Sequence, residues 1–334
     1  MRSPEDFVPV MRRAIELAAT VSYLTGANPR VGCVLIDDNG ALLGEGYHRG
    51  VGTDHAEVAA LSAAGGNAEG ATAVVTLEPC NHTGRTGPCT EVLIAAGVKR
   101  VVYACDDPNP QAGGGADRLR AAGIAVHTGI LAAEAAALNL EWMTAVERQR
   151  PFVTVKTATT LDGRVAAADG SSRWITGAAA RDDVHELRGR VDAVITGTGT
   201  VLADDPQLTD RRRAANRQPV RIVVGEQAIP DDARILDDSA PTRVLATRDL
   251  HVVLASLYAE GMRHVMVEAG PGLVTAFLRE GLVDRIRWYI APVVLGAGAT
   301  VVDDLGISTM GEALRLTTES VERIGDDVRI DVRV

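Results

Sequence analysis

His55-Ala56-Glu57 and, further on, Pro79-Cys80 with Cys89 are the positions where residue type and spacing could do chemistry. One His and two Cys can hold a zinc ion and leave its fourth position open for water, the pattern of a catalytic rather than a structural site. Water activated there is a nucleophile at neutral pH, and Glu57 is placed in sequence to carry its proton. Residues i and i+2 do not share a face of a regular helix. His55 and Glu57 therefore serve one site only if His55 stands at the extreme N-terminus of its helix.

The Cys loop strengthens this reading. Cys80 follows an apolar strand, and Cys89 heads the helical run Thr90 to Ala96, whose N-terminal field favours thiolate. Two structural thiols would rarely sit in a loop of Asn, His, Thr, Gly and Arg. His-x-Glu followed by Pro-Cys and a second Cys is the signature of zinc deaminases acting on nucleobases. Their common form has two residues between the thiolates, whereas this chain has eight, residues 81 to 88. The insert supplies His82 and Arg85, donors suited to a phosphate or an oxygen-rich substrate.

The elements that must position these residues alternate. An amphipathic helix is expected over residues 5–20, then strands Val31–Ile36 and Leu42–Tyr47 around the Asp37-Asp38-Asn39-Gly40 turn. Next come a helix from His55, a strand Ala73–Leu77, the Cys loop, a helix Glu91–Ala96 and a strand Val101–Cys105. A helix Ala116–Ala122 and a strand Ile124–His127 follow, which together argue for helices packed on a sheet. A long helix from Leu131 to Arg148 ends before Pro151, and Pro disfavours helix at the residue before it. The pattern then starts afresh, so the chain divides into residues 1–148 and 149–334.

The second half predicts strands Phe152–Thr157, Ala193–Thr196, Val220–Val224, Arg243–Ala246, His264–Val267 and Arg285–Ile290, with helices Ala178–Arg188, Leu250–Ala259 and Leu273–Glu280. Two strands run into glycine turns, at Gly197-Thr198-Gly199-Thr200 and at Gly270-Pro271-Gly272. Such turns bring backbone N–H groups and a helix N-terminus to a phosphate. A Rossmann fingerprint is not completed, because Leu202 stands where its third Gly belongs.

A chain of 334 residues exceeds one comfortable hydrophobic core. Its net charge of −10 argues against a broad nucleic-acid surface, while leaving room for a small anionic substrate in a local basic pocket. No run of 18 apolar residues suggests a membrane span, and the N-terminal stretch lacks an apolar segment of signal-peptide length. Four Cys are too few for a disulfide framework; Cys33 and Cys105 read as small buried hydrophobes in strands. A reducing cytoplasm is the expected compartment.

Several motifs, in order along nearly the whole chain, resemble the bifunctional riboflavin-biosynthesis deaminase/reductase family. They are Asn28-Pro29-x-Val31-Gly32-Cys33, His55-Ala56-Glu57, Glu78-Pro79-Cys80-x-His82-x-Gly84-Arg85-Thr86-x-Pro88-Cys89 and Asp107-Pro108-Asn109-Pro110 in the first half. In the second they are Leu161-Asp162-Gly163-Arg164, Trp174-Ile175-Thr176, Gly199-Thr200-Val201-Leu202-Ala203-Asp204-Asp205-Pro206 and Glu268-Ala269-Gly270-Pro271.

The resemblance implies a cytidine-deaminase-like, three-layer α/β N-terminal domain and a dihydrofolate-reductase-like α/β C-terminal domain. The first would remove the 2-amino group of 2,5-diamino-6-ribosylamino-4(3H)-pyrimidinone 5′-phosphate with zinc. The second would use NADPH to reduce the ribosyl group of the product to ribityl. It also implies a homo-oligomer whose ligands are small phosphorylated pyrimidines. Carried over by position, His55, Cys80 and Cys89 would bind zinc and Glu57 would shuttle the proton. Asn28, His48, His82, Arg85, Asp107 and Asn109 would contact the first substrate. Ala158, Trp174, Thr200, Asp204 and the stretch Gly270, Pro271, Gly272, Leu273, Val274, Thr275 and Ala276 would lie along NADPH. Ser172, Arg188, Leu208, Arg211 and Glu268 would contact the second substrate, with Lys156 and Asp204 as candidates for its chemistry.

Three positions depart from the family pattern. Ala27 replaces a frequent Pro, Ser171-Ser172-Arg173 replaces Glu-Ser-Gln, and Gly225-Glu226 stands where Asp-Ser is common, setting a carboxylate toward a 2′-phosphate. The rival readings are a nucleoside or tRNA base deaminase with a C-terminal binding module, and a nicotinamide reductase with a purely structural zinc domain.

Overall fold

The computed structural model describes residues 3–21, 26–83, 87–212 and 217–334. It divides into two compact units, Met1–Gln149 and Arg150–Val334. In the first, a short 3-10 turn, Pro4–Phe7, leads into α1 (Val8–Ala19), followed by β1 (Gly32–Ile36), β2 (Leu42–Tyr47), α2 (Ala56–Ala63) and β3 (Thr72–Leu77). Then come α3 (Cys89–Ala95), β4 (Arg100–Cys105), α4 (Gly115–Ala121), β5 (Ala125–Thr128), α5 (Ala132–Leu138) and α6 (Leu140–Arg148).

The strands form one sheet in the order β2-β1-β3-β4-β5. β1 runs antiparallel to both neighbours, whereas β3, β4 and β5 are parallel. Side chains of a strand alternate between faces, and β1 uses both. Cys33 and Leu35 pack with Ala56, Ala60, Leu93 and Leu119 of α2, α3 and α4. Val34 and Ile36 pack with Met11, Ala14 and Leu17 of α1 and with Ala135 of α5. Three layers result. α2 lies so close to β2 that a Cβ on Gly46 would stand 2.5 Å from the Ala60 nitrogen. The Ala-rich sequence of α2 and the bare Gly46 together permit this approach.

One expectation is corrected. The helix expected from Leu131 to Arg148 is two helices, broken at Asn139. The buried Asn139 side chain clamps the main chain of Arg30, accepting from its N–H and donating to its C=O, each at 2.8 Å.

The second unit holds β6 (Phe152–Thr160), α7 (Ala178–Arg190), β7 (Ala193–Gly197), α8 (Thr198–Asp204), β8 (Val220–Val224) and β9 (Thr242–Leu245). It continues with α9 (Leu250–Ala259), β10 (His264–Val267), α10 (Pro271–Arg279), β11 (Arg285–Ala291), β12 (Thr317–Ile324) and β13 (Asp327–Arg333). The sheet order is β12-β13-β11-β6-β10-β7-β8-β9. The strands from β11 to β9 are parallel, and the β12–β13 hairpin joins antiparallel at β11. Val153, Ile195, Ile222 and Val265 face α9 and α10 in one core, while Val194, Val223 and Met266 face Leu187 of α7 in another. Each fully buried aliphatic side chain in these cores contributes about 1.5–3 kcal/mol. The sequence reading did not anticipate α8 or the terminal hairpin. Cys33 is buried, and Cys105 is partly so. Among the described residues, no helix is long and apolar enough to cross a membrane.

Candidate functional site

His55 is the N-cap of α2, its backbone extended at φ −69° and ψ 159°. The condition that allows His55 and Glu57 to serve one site is thereby met. Pro88 caps α3, so Cys89 is its first residue, and Cys80 lies beyond the end of β3. The ligand atoms of His55, Cys80 and Cys89 all lie within 4.8 Å of one another. His55 Nδ1 is 3.2 Å from Cys89 Sγ and 3.6 Å from Cys80 Sγ, and the Cys89 N–H points at Cys80 Sγ from 3.5 Å. One imidazole and two thiols at this spacing suit zinc, which prefers N and S donors in a tetrahedron.

The electrostatics agree with that donor set. The hydrogen bond from the Cys89 thiol lowers Cys80 well below the ordinary thiol range. The same bond, with burial, raises Cys89. Glu57 is 3% exposed. Burial, with the charge of Cys80 beside it, pushes its carboxyl up to about 7; a dication among the three ligands would draw it down again.

His55, Glu57 and Cys80 line a cavity of about 480 Å³ whose wall also carries Asn28, His48, His82, Asp107 and Asn109. His48 is oriented by its neighbours. Its Nδ1 is 3.0 Å from the Asp54 carbonyl, which can only accept, so its Nε2 accepts from the Asn28 amide at 3.0 Å. Its ring meets His55 edge-on, with centroids 5.3 Å apart. Asp107 accepts from the Asn109 N–H at 2.8 Å, and burial lifts its carboxyl to about 6. His82 Nδ1 is buried with no hydrogen-bond partner among the described residues, as expected of a group kept for a ligand. Arg85 lies outside the described residues. Glu78, which the sequence reading quoted but gave no role, accepts from the N–H groups of Ala116 and Asp107 and so fixes the far wall. A buried acid just before Pro79-Cys80 was the available signal.

In the second unit, Lys156 Nζ donates to Glu268 Oε1 at 3.1 Å. Arg188 grips the same carboxylate with two bonds, Nε to Oε2 and Nη2 to Oε1, each 3.0 Å. Its Nη1 donates to the Thr209 carbonyl at 3.1 Å. Burial works to raise Glu268, but Arg188 and Lys156 outweigh it and hold the carboxyl at about 2. The carboxylate that orients Lys156 is therefore Glu268. Asp204 ends α8, and its carbonyl accepts from Arg173. The Leu208 side chain is buried in the core beside Leu187 and Val201, which leaves its main chain for any ligand. Arg211 is exposed, and its guanidinium meets His185 Nε2 at 3.2 Å. Ser172 is half-buried.

The two expected glycine turns are helix starts, Gly197 capping α8 after β7 and Gly270 capping α10 after β10. The strands are neighbours, and the two starts are tied together where the Gly270 N–H donates to Thr200 Oγ1 at 3.0 Å. Both lie at the carboxyl ends of parallel strands, where open α/β sheets bind nucleotides. Gly272 is exposed, Gly270, Pro271, Leu273 and Ala276 are half-buried, and the side chains of Val274 and Thr275 are buried. Gly225, at the end of β8, takes φ +139°, and a Cβ there would come within 2.5 Å of Thr198 Oγ1. Ala158 is half-buried on β6, and Trp174 is 67% exposed, with the Arg181 guanidinium 4.6 Å over its ring. An exposed aromatic ring, amide-rich turns and cations suit a dinucleotide phosphate. Glu226, whose carboxylate would oppose a 2′-phosphate, is paired with Arg248 at 3.1 Å.

Comparison with known proteins places this geometry. Residues 151–330 match the RibD C-terminal domain, and residues 5–105 match the cytidine and deoxycytidylate deaminase zinc-binding region. The chain is 49% identical over 326 residues to riboflavin biosynthesis protein RibD of Mycobacterium tuberculosis, covering 96% of each. It is 40% identical to the Escherichia coli protein of the same name, covering 95% of this chain and 96% of that one. Among solved structures it is similar to Acinetobacter baumannii RibD, with a TM-score of 0.91, 41% identity and 99% of each chain covered. A Thermotoga maritima diaminohydroxyphosphoribosylaminopyrimidine deaminase/5-amino-6-(5-phosphoribosylamino)uracil reductase gives a TM-score of 0.88 at 34% identity, again over 99% of each.

Proposed function

This chain belongs to the bifunctional riboflavin-biosynthesis deaminase/reductase family, and from that premise we propose how its residues divide the work. Met1–Gln149 carries the deaminase and Arg150–Val334 the reductase. The observation that carries the first assignment is the convergence of His55, Cys80 and Cys89 on one point, with Glu57 buried beside it in a cavity lined by His82 and Asp107.

When bound, zinc supplies a Lewis acid for water activation at the pyrimidine carbon. The Glu57 carboxylate takes a proton from the attacking water and returns it to the amine, which leaves as ammonia. Asn28, His48, His82 and Asn109 hold the ring and its ribosyl phosphate, with Asp107 as a hydrogen-bonding partner for the ring's polar edge. Arg85 adds a cation from the same loop.

In the reductase unit, NADPH supplies the hydride. Trp174, Thr200, Asp204, Ala158 and the turn from Gly270 hold the cofactor. Lys156, oriented by Glu268, stabilises the nitrogen or oxygen on which negative charge develops as the ribosyl group becomes ribityl. Ser172, Arg211 and the main chain at Leu208 hold the substrate.

Self-association is part of the same proposal. It is supported by Val294, Met310 and Leu314, exposed apolar side chains between β11 and β12. We also propose small phosphorylated pyrimidines as ligands rather than nucleic acid, which the net charge of −10 supports, and a cytoplasmic location. A coupled assay on the pyrimidinone phosphate, following ammonia and NADPH separately with zinc measured on the same sample, tests the whole. Deamination of cytidine or of a tRNA base, with the pyrimidinone phosphate untouched, would favour the rival reading.

A further inference from the structure

We propose that His185 is a positioning residue of the reductase site, holding Arg211 out toward the substrate phosphate while Arg188 is retained behind it by Glu268. The inference deepens the reading above and rests on its placing of Arg211 at that phosphate.

His185 and Arg188 are three residues apart on α7 and so lie on one face. His185 is only 9% exposed. Its Nδ1 is 2.9 Å from the Thr209 carbonyl oxygen, and its Nε2 is 3.2 Å from Arg211 Nη2. A carbonyl accepts and a guanidinium donates, so both bonds form with the proton on Nδ1 and the lone pair on Nε2. The opposite tautomer would suit the two donors that approach Nδ1, the Arg211 N–H at 3.2 Å and Arg188 Nη1 at 3.3 Å. It would forfeit the shortest contact and set N–H against N–H at Nε2. Burial, then Arg188 and Arg211, depress the imidazole, with Asp210 opposing, so the ring is neutral and able to accept.

The two arginines differ in what their charge has left to do. Arg188 is neutralised by Glu268 and saturated by Thr209. Arg211 forms no ion pair among the described residues; burial, then the nearby cations Arg188 and Arg234, work against its charge, with Glu268 opposing them. An exposed guanidinium held by a neutral acceptor inside a positive field is built to receive an anion. A carboxylate in place of His185 would have neutralised Arg211; the imidazole orients it and leaves its charge for the ligand.

The test uses the full-length enzyme, steady-state reduction of 5-amino-6-(5-phosphoribosylamino)uracil, and inorganic phosphate as a competitive inhibitor. His185→Phe fills the space without an acceptor. It should raise KM for the substrate and Ki for phosphate together by about tenfold, the loss of one charge-assisted bond, with kcat and KM for NADPH within about twofold. His185→Gln, whose amide oxygen can accept from Arg211, should recover most of the loss. Arg211→Ala should raise both constants at least as far. Unchanged constants in His185→Phe beside raised ones in Arg211→Ala would overturn the role of His185 alone. Unchanged constants in Arg211→Ala would overturn the phosphate reading and this inference with it. Should His185→Phe lose NADPH binding and hence its fold, His185→Gln decides: near-wild-type constants support the acceptor role, and constants raised as far as in Arg211→Ala overturn it.

Discussion

His55 Nδ1 lies 3.2 Å from Cys89 Sγ, although one residue caps α2 and the other begins α3. Two helix N-termini thus deliver ligands to one point, with Cys80 completing the set. Removing zinc with a chelator should abolish ammonia release while leaving NADPH oxidation intact when the deaminated intermediate is supplied. Cys80→Ser and Cys89→Ser should each lower bound zinc, measured by atomic absorption, well below one per chain. Full activity in a zinc-free sample would count against the assignment.

Replacing Glu57 separates proton transfer from metal binding. Glu57→Gln keeps the shape of the buried side chain and removes its basicity. Ammonia release should fall by about 10²–10⁴-fold, the usual range for losing a general acid–base, with zinc content and reductase rate unchanged. A variant that still releases ammonia at the wild-type rate would return the zinc domain to a purely structural role.

Glu268 makes the reductase unit sensitive to acid in a defined window. Its carboxyl is held at about 2 against an ordinary value of 4.5. A depressed carboxyl contributes stability that is fully present above its unfolded value and is lost as pH falls through the folded one. Glu268→Gln leaves Lys156 and Arg188 without their carboxylate and should cost about 3 kcal/mol near neutral pH. Denaturant unfolding should show the gap from wild type narrowing between pH 4.5 and pH 2. A gap independent of pH would mean that the carboxylate charge plays no part.

The Glu226–Arg248 pair carries a prediction about cofactor preference. Because Arg248 sits 3.1 Å from Glu226, the carboxylate does not confront a 2′-phosphate alone. Arg248→Ala should weaken NADPH binding about tenfold at low salt while barely changing NADH, and Glu226→Ser should tighten NADPH. Both effects should fade with added salt, as exposed charges are screened. Equal losses for the two cofactors would place the pair away from the 2′-phosphate.

The convergence of His55, Cys80 and Cys89 was legible in the sequence because its signals are local: a helix start, a strand end and a thiol-bearing loop each announce themselves. The pairing of Lys156 with Glu268 was not, since 112 residues separate them. Only the parallel register of β6 and β10, which sets Val155 beside Val267, brings the next residues together. The contacts of Arg188 with Glu268 and Thr209, and of His185 with Arg211, were likewise invisible in the sequence, because they join residues 21 to 80 positions apart. The β12–β13 hairpin was legible only in its second strand, where Val328, Ile330 and Val332 alternate with charged residues; β12 instead carries Glu319 and Glu322, which pair with Arg333 and Arg329. Gly197 and Gly199 made α8 look like a turn.

The break at Asn139 also governs rotation. Every residue added to a continuous helix turns all that follows by about 100°. Trp142, on α6, donates its indole N–H to the Ala27 carbonyl at 2.9 Å and forms part of the wall of the deaminase cavity. Because Asn139 is anchored to Arg30, the angular setting of α6 restarts there. The orientation of the Trp142 indole toward the cavity is therefore set by Asn139 and not by the phase of α5.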